Sequence, residues 1–142
     1  MSGGQEIVLE FALKASVFEV AGEASSKTKR VLQQIGVRAD IIRRIAISAY
    51  EGEMNVIIHS SGGTMRVLIF PDRTEITFTD GGPGIADVNL AMEEGYSTAP
   101  DYVREMGFGA GMGLPNMARC ADEFDIQSEV GVGTKIIMMI RH

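Results

Sequence analysis

Glu51-Gly52-Glu53-Met54-Asn55 lies within an apolar stretch that holds no proline from Arg38 to His59. Ile41, Ile42, Ile45, Ala46, Ala49, Val56 and Ile57 fall on one broad arc at helical spacing. Ile47, Met54 and Ile58 fall elsewhere on the circumference, so the spacing predicts a helix buried over much of its surface. Glu51 and Asn55, four residues apart, share a polar stripe with Ser48 and His59, whereas Glu53 points to roughly the opposite side. A carboxylate and an amide stacked on one face of a buried helix are destabilising unless something satisfies them. Alone, the pair reads equally well as a satisfied core pair, an ordinary exposed face or a site.

The segments around this helix supply its context. Glu6 to Lys14 alternates, with Ile7, Leu9, Phe11 and Leu13 on one side, and predicts a half-buried strand. From about Ser16 to Ile35, Val17, Ala21, Ala24, Val31, Leu32 and Ile35 mark an amphipathic helix, with Gly36 as its C-terminal cap. After the central helix, strands are expected over Met65–Phe70 and Thr74–Thr79, joined through Pro71-Asp72-Arg73. Asp87 to Glu94 reads as a short helix, Leu114 to Glu123 as a longer one, and Phe124–Glu129 with Thr134–Arg141 as a terminal hairpin. No repeat, linker or low-complexity segment interrupts the chain. Five strands and three main helices, grouped rather than alternating, indicate an α+β two-layer sandwich in a single domain over residues 1–142.

Two glycine-rich segments stand out. Asp80-Gly81-Gly82-Pro83-Gly84-Ile85 follows a strand directly, and Gly107-Phe108-Gly109-Ala110-Gly111-Met112-Gly113-Leu114 carries glycine at every second position. A tight turn accounts for the first. A packed strand would gain nothing from the four glycines of the second, but a loop that wraps its amides round an anion would need them. The last of them precede a predicted helix, whose N-terminus favours phosphate.

Composition narrows the function classes. With 45% hydrophobic and 23% charged residues the 142-residue chain reads as soluble and globular. Its net charge of −6 argues against non-specific binding to nucleic acid or to an anionic membrane. The lone Cys120 excludes an intramolecular disulfide, fits a reducing compartment and reads as core rather than nucleophile. The two histidines make no zinc site with it at a familiar spacing. No apolar run approaches a membrane span, and Met1-Ser2-Gly3-Gly4 is not a signal peptide, so a cytoplasmic protein is expected.

Together the motifs resemble the ATP-binding domain shared by gyrase, heat-shock chaperone, histidine kinase and mismatch-repair ATPases, the GHKL superfamily. Glu51-x-x-x-Asn55 looks like its N box, Asp80-x-Gly82-x-Gly84 its first glycine box and Gly109-x-Gly111-x-Gly113-Leu114 its second. Gly133-Thr134 is similar to its final Gly-Thr element. All four occur in the family's order. The small size, Met92-Glu93-Glu94-Gly95-Tyr96-Ser97-Thr98 and Asp122-Glu123-Phe124 resemble the bacterial anti-sigma-factor and stressosome-type serine kinases.

The resemblance implies a Bergerat-type fold with a mixed, mainly antiparallel sheet, ATP and Mg²⁺ as cofactors, and a lid over about Gly95 to Met112. Asp80 would accept from the adenine amino group, with Gly82 and Gly84 passing close to base and sugar. Asn55 would be the Mg²⁺ ligand. Gly107, Gly109, Gly111 and Gly113 would wrap the phosphates, Met112 and Leu114 would line the site, and Thr134 would support it. Glu51 would be the general base, and Arg104 is a candidate contact for the γ-phosphate. The implied partner is a protein antagonist or scaffold with an acceptor serine; a sigma factor and a second copy of the chain are further candidates. An ATP-dependent sequestering module and an orphan histidine-kinase-like ATPase are the alternatives.

Overall fold

The computed structural model describes residues 6–14, 21–59, 62–81 and 113–142. Its period-two segments form one five-stranded sheet: β1 (Ile7–Leu13), β2 (Gly63–Ile69), β3 (Arg73–Asp80), β4 (Glu123–Glu129) and β5 (Gly133–Arg141). The order is β1-β2-β3-β5-β4, and all four pairings are antiparallel, so no parallel admixture occurs among the described strands. Three helices accompany it: α1 (Glu23–Gln34), α2 (Ala39–His59) and α3 (Gly113–Cys120). The architecture is the expected α+β two-layer sandwich. The short helix expected over Asp87–Glu94 lies outside the described residues.

Alternation puts Met65, Val67 and Ile69 of β2, Ile76 and Phe78 of β3, and Ile136, Met138 and Ile140 of β5 on the inner face. Against them α2 sets Ile41, Ile42, Ile45, Ala49, Val56 and Ile57, with Leu32 of α1 and Met117 of α3 completing the core. Except for Ala46, which is only partly buried, the helix spacing read from α2 therefore corresponds to its buried side. Its outer side differs from expectation, because Ile47 is 40% exposed. Ile35 is likewise exposed, since α1 ends at Gln34 and Ile35 becomes its C-cap. Gly36, with φ 82°, follows in the left-handed region, and the amides of Gly36 and Val37 return to the carbonyls of Gln33 and Leu32. This is the Schellman arrangement, which closes orphaned carbonyls at a helix end.

The approach of α2 to the sheet depends on Gly52. A Cβ there would overlap the ring of Phe78, which is fully buried and has no room to retreat. Gly52→Ala is therefore expected to lower stability by about 1–3 kcal/mol through overpacking. Adding Phe78→Leu should restore part of that loss, because the two sites share one space. Urea denaturation of the two single variants and the double variant measures the coupling, and strict additivity would contradict the close approach.

α3 stops three residues earlier than the sequence reading placed it. Arg44 of α2 donates from Nε to the Cys120 carbonyl at 3.0 Å and from Nη2 to Asp122 Oδ1 at 3.3 Å. Asp122 Oδ2 accepts the Arg141 amide at 2.7 Å. Asp122 is thereby drawn into the start of the β4–β5 hairpin, and these donors hold its carboxyl below the usual carboxylate range. Among the described residues no helix is long and apolar enough to cross a membrane.

Candidate functional site

The site begins with the two carboxylates of the N-box stretch, which α2 sends in different directions. Glu53 is buried against the start of α1. That helix begins at Gly22, with φ 94° and no side-chain cap of its own. Glu53 takes over the capping function from another helix. Its Oε2 accepts the amides of Gly22 and Ala24 at 3.0 and 3.3 Å, and its Oε1 accepts the Ser25 amide and hydroxyl at 3.1 and 2.6 Å. A carboxylate at the positive end of a helix also gains from the aligned peptide dipoles. Glu53 is thus fully engaged in structure and has no free edge for chemistry.

Glu51 faces elsewhere and is only half-buried. Burial raises its pKa above the ordinary glutamate value, and a hydrogen bond from the Asn116 side chain partly offsets the shift. Asn116, on α3, is itself oriented: its Oδ1 accepts from Arg119 Nη2 at 2.7 Å, which leaves the amide NH₂ to face Glu51. The chain Arg119–Asn116–Glu51 links the last helix to the central one. Asn55 follows Glu51 by about one turn on the same stripe of α2, partly exposed.

Asp80 occupies the end of β3, two residues beyond Phe78 and hence on the same, helix-facing side. Since Phe78 meets Gly52, this places the end of β3 beside the Glu51–Asn55 turn of α2. Two glycines fit closely round Asp80. Gly63 is its register partner on β2, where a Cβ would overlap the Thr79 carbonyl; at Gly133 on β5 a Cβ would overlap the Asp80 carbonyl. Gly133 also has φ 144°, in the region that favours glycine. Next to it, the Thr134 amide donates to Asp80 Oδ1 at 3.3 Å, and the Thr134 hydroxyl lies 2.9 Å from Ser128 Oγ. Thr134 is therefore joined directly to Asp80.

Gly113 opens α3 and Leu114 packs into the core beside Met117. Gly82, Gly84, Arg104, Gly107, Gly109, Gly111 and Met112 lie outside the described residues. Of the sequence candidates, Glu51, Asn55, Asp80, Gly113, Leu114 and Thr134 are thus gathered round the α2–α3–β3–β5 junction. Asn116, Arg119 and Gly63 belong to the same place and carried no signal in the sequence reading. Asn116 meets Glu51 and Gly63 meets the end of β3 across long stretches of chain, whereas Arg119 acts through Asn116 three residues away.

Residues 15–140 match the family described as "Histidine kinase-like ATPase domain". The chain is 31% identical over 112 residues to the serine/threonine-protein kinase RsbT of Bacillus subtilis (strain 168), an alignment covering 76% of this chain and 78% of that protein. It is 30% identical over 136 residues to the anti-sigma F factor of Clostridium perfringens (strain SM101 / Type A), covering 92% and 91%. Among solved structures, the mycobacterial sensor histidine kinase MprB matches with a TM-score of 0.53 at 17% identity, over 94% of this chain and 97% of that one. That last likeness is one of fold alone.

Proposed function

The chain belongs to the family of histidine kinase-like ATPase domains, and from that premise we propose that it is an Mg-ATP-dependent protein serine kinase of the anti-sigma regulatory type. It binds ATP and passes the γ-phosphate to a serine of a partner regulatory protein. The kinase name of one relative and the anti-sigma name of another support this reading. From the structure, the supporting observation is Glu51: a half-buried carboxylate, raised in pKa and held by an oriented amide, one turn from Asn55. A histidine acceptor is nucleophilic when neutral, whereas a serine hydroxyl gains from a base.

In this reading Glu51 takes the proton of the acceptor hydroxyl as the serine oxygen bonds to the γ-phosphorus. The bond from that phosphorus to the β–γ bridging oxygen breaks, and ADP leaves with the electron pair. Asp80 is assigned to the adenine amino group, with the Thr134 amide holding its carboxylate and Gly63 and Gly133 letting the neighbouring strands close on its backbone. Asn55 offers a neutral amide oxygen beside the site, which suits Mg²⁺, an ion that takes few protein ligands and keeps phosphate and water oxygens. When bound, the ion would neutralise phosphate charge. Gly113, at the start of α3, and the glycines before it are assigned to the phosphates. Work in the cytoplasm accords with the lone Cys120.

Two variants test the nucleotide assignment. Asp80→Asn exchanges a charge-assisted hydrogen bond for a neutral one, worth about 1.5–3 kcal/mol, so ADP affinity should fall roughly tenfold to a hundredfold with or without Mg²⁺. Asn55→Ala should lower only the Mg²⁺-dependent part of the affinity and abolish turnover with it. Titration calorimetry reads both, and unchanged ADP affinity in folded Asp80→Asn would overturn the adenine assignment.

A pH profile tests Glu51 separately. The base works deprotonated, and its raised pKa puts the acid limb of the transfer rate above the ordinary glutamate value. Asn116 stabilises the charged form, so Asn116→Leu should move that limb to higher pH. A limb that stays in place or moves down would contradict the Asn116 contact. A second reading, ATP-dependent sequestration of a sigma factor or similar protein, finds support in the anti-sigma relatives and is favoured if the chain binds ATP and partner without transfer.

A further inference from the structure

On its outer side α2 does not meet the sheet, and there it forms a groove of about 680 Å³ with α1. Ala39, Arg43, Ile47 and Glu51, each four residues from the next, line one wall along α2, while Lys29 and Gln33 of α1 line the other. The groove has an apolar floor that includes Val37 and Tyr50, and both Ile47 and Tyr50 are large side chains well exposed to solvent. Lys29 and Arg43 flank this floor from opposite helices. Neither has a carboxylate partner among the described residues. The two exposed cations thus set positive charge on both sides of an apolar floor. The wall from Ala39 to Glu51 extends about 18 Å at 1.5 Å per residue, a little over three helical turns. It ends at Glu51, the assigned base.

We infer that this groove is the docking track for an acidic, amphipathic helical segment of the acceptor protein. Apolar side chains of that segment would cover Ile47, Tyr50 and Val37, its carboxylates would pair with Lys29 and Arg43, and its direction would lead the acceptor hydroxyl towards Glu51. The inference rests on the kinase reading for its purpose. It does not depend on that reading for its test, because docking is measured without nucleotide.

The probe is a helix-stapled peptide of about twelve residues with leucine at i, i+3, i+4 and i+7 and glutamate elsewhere. Its counterpart carries lysine for glutamate. Anisotropy titration and amide shift mapping on the full chain should show the acidic peptide binding over residues 29–37 and 39–51, and the basic one binding at least about tenfold more weakly. Arg43→Glu and Ile47→Asp, both at exposed positions outside the catalytic machinery, should each weaken the acidic peptide about tenfold while keeping ADP affinity. Equal binding of the two peptides, shifts elsewhere, or unchanged affinity in both variants would overturn the docking track. So would a wild-type dimer in sedimentation that Ile47→Asp converts to monomer, since the groove would then be an interface between copies. A groove that passes while no labelled phosphate reaches any serine would sink the kinase reading alone.

Discussion

Glu51→Ala should reduce single-turnover phosphotransfer by about 10²–10⁴-fold, the usual worth of a positioned general base, while leaving ADP affinity close to wild type. The separation follows from what the carboxylate is assigned to do: it acts on the acceptor hydroxyl, and the nucleotide is assigned to Asp80, Asn55 and glycine backbone. Removing it also relieves a half-buried charge, so the variant should be no less stable than wild type at neutral pH. The raised pKa gives the sign. A carboxyl whose folded pKa lies above its unfolded value opposes folding once pH exceeds the unfolded value, and this penalty vanishes in acid. Stability of wild type relative to Glu51→Ala should therefore improve as pH falls through the folded pKa. A loss of ADP affinity equal to the loss of rate would instead place Glu51 on the nucleotide.

Two residues away, the same substitution should do the opposite. Glu53→Ala removes the acceptor for three amides and one hydroxyl at the start of α1, all but one of these bonds buried. Hydrogen bonds to a charged group contribute about 1.5–3 kcal/mol, and donors left buried without partners add to the loss. The contributions are not additive, and a total of about 3–4 kcal/mol is expected. For a domain whose whole stability is about 5–15 kcal/mol, that is a large fraction. Ser25→Ala, which deletes only the 2.6 Å hydroxyl bond, should lose about 1.5 kcal/mol. Urea denaturation measures both. Hydrogen exchange should show the amides of Gly22, Ala24 and Ser25 opening first in Glu53→Ala. Unchanged protection of those amides would contradict the cap.

These two glutamates show where the sequence was legible. Helical spacing separated them onto opposite sides of α2, and period-two alternation located β1 with its inward Ile7, Leu9, Phe11 and Leu13. Both patterns are local, set by 3.6 and 2 residues per repeat. What Glu53 meets on its side was not legible, because its partners are 28 to 31 residues earlier in the chain. The same holds for Asn116 and Glu51, and for Arg44, whose hydrogen bonds across 76 and 78 residues end α3 before Glu123. Nothing local explains a glycine at position 52 inside a helix; only the ring of Phe78 gives it a reason. Exposed Ile35 and Ile47 were misplaced because a hydrophobic side chain on a helix signals a core only when something covers it.

Transfer to a serine is read from the chemical linkage of the phosphorylated product. Wild-type chain is incubated with Mg²⁺, γ-labelled ATP and candidate acceptor proteins, and the labelled acceptor is then treated with acid and with alkali. A phosphate that survives acid and is lost in alkali is phosphoserine, which is the predicted result. A label lost in acid and kept in alkali would identify phosphohistidine and contradict the account.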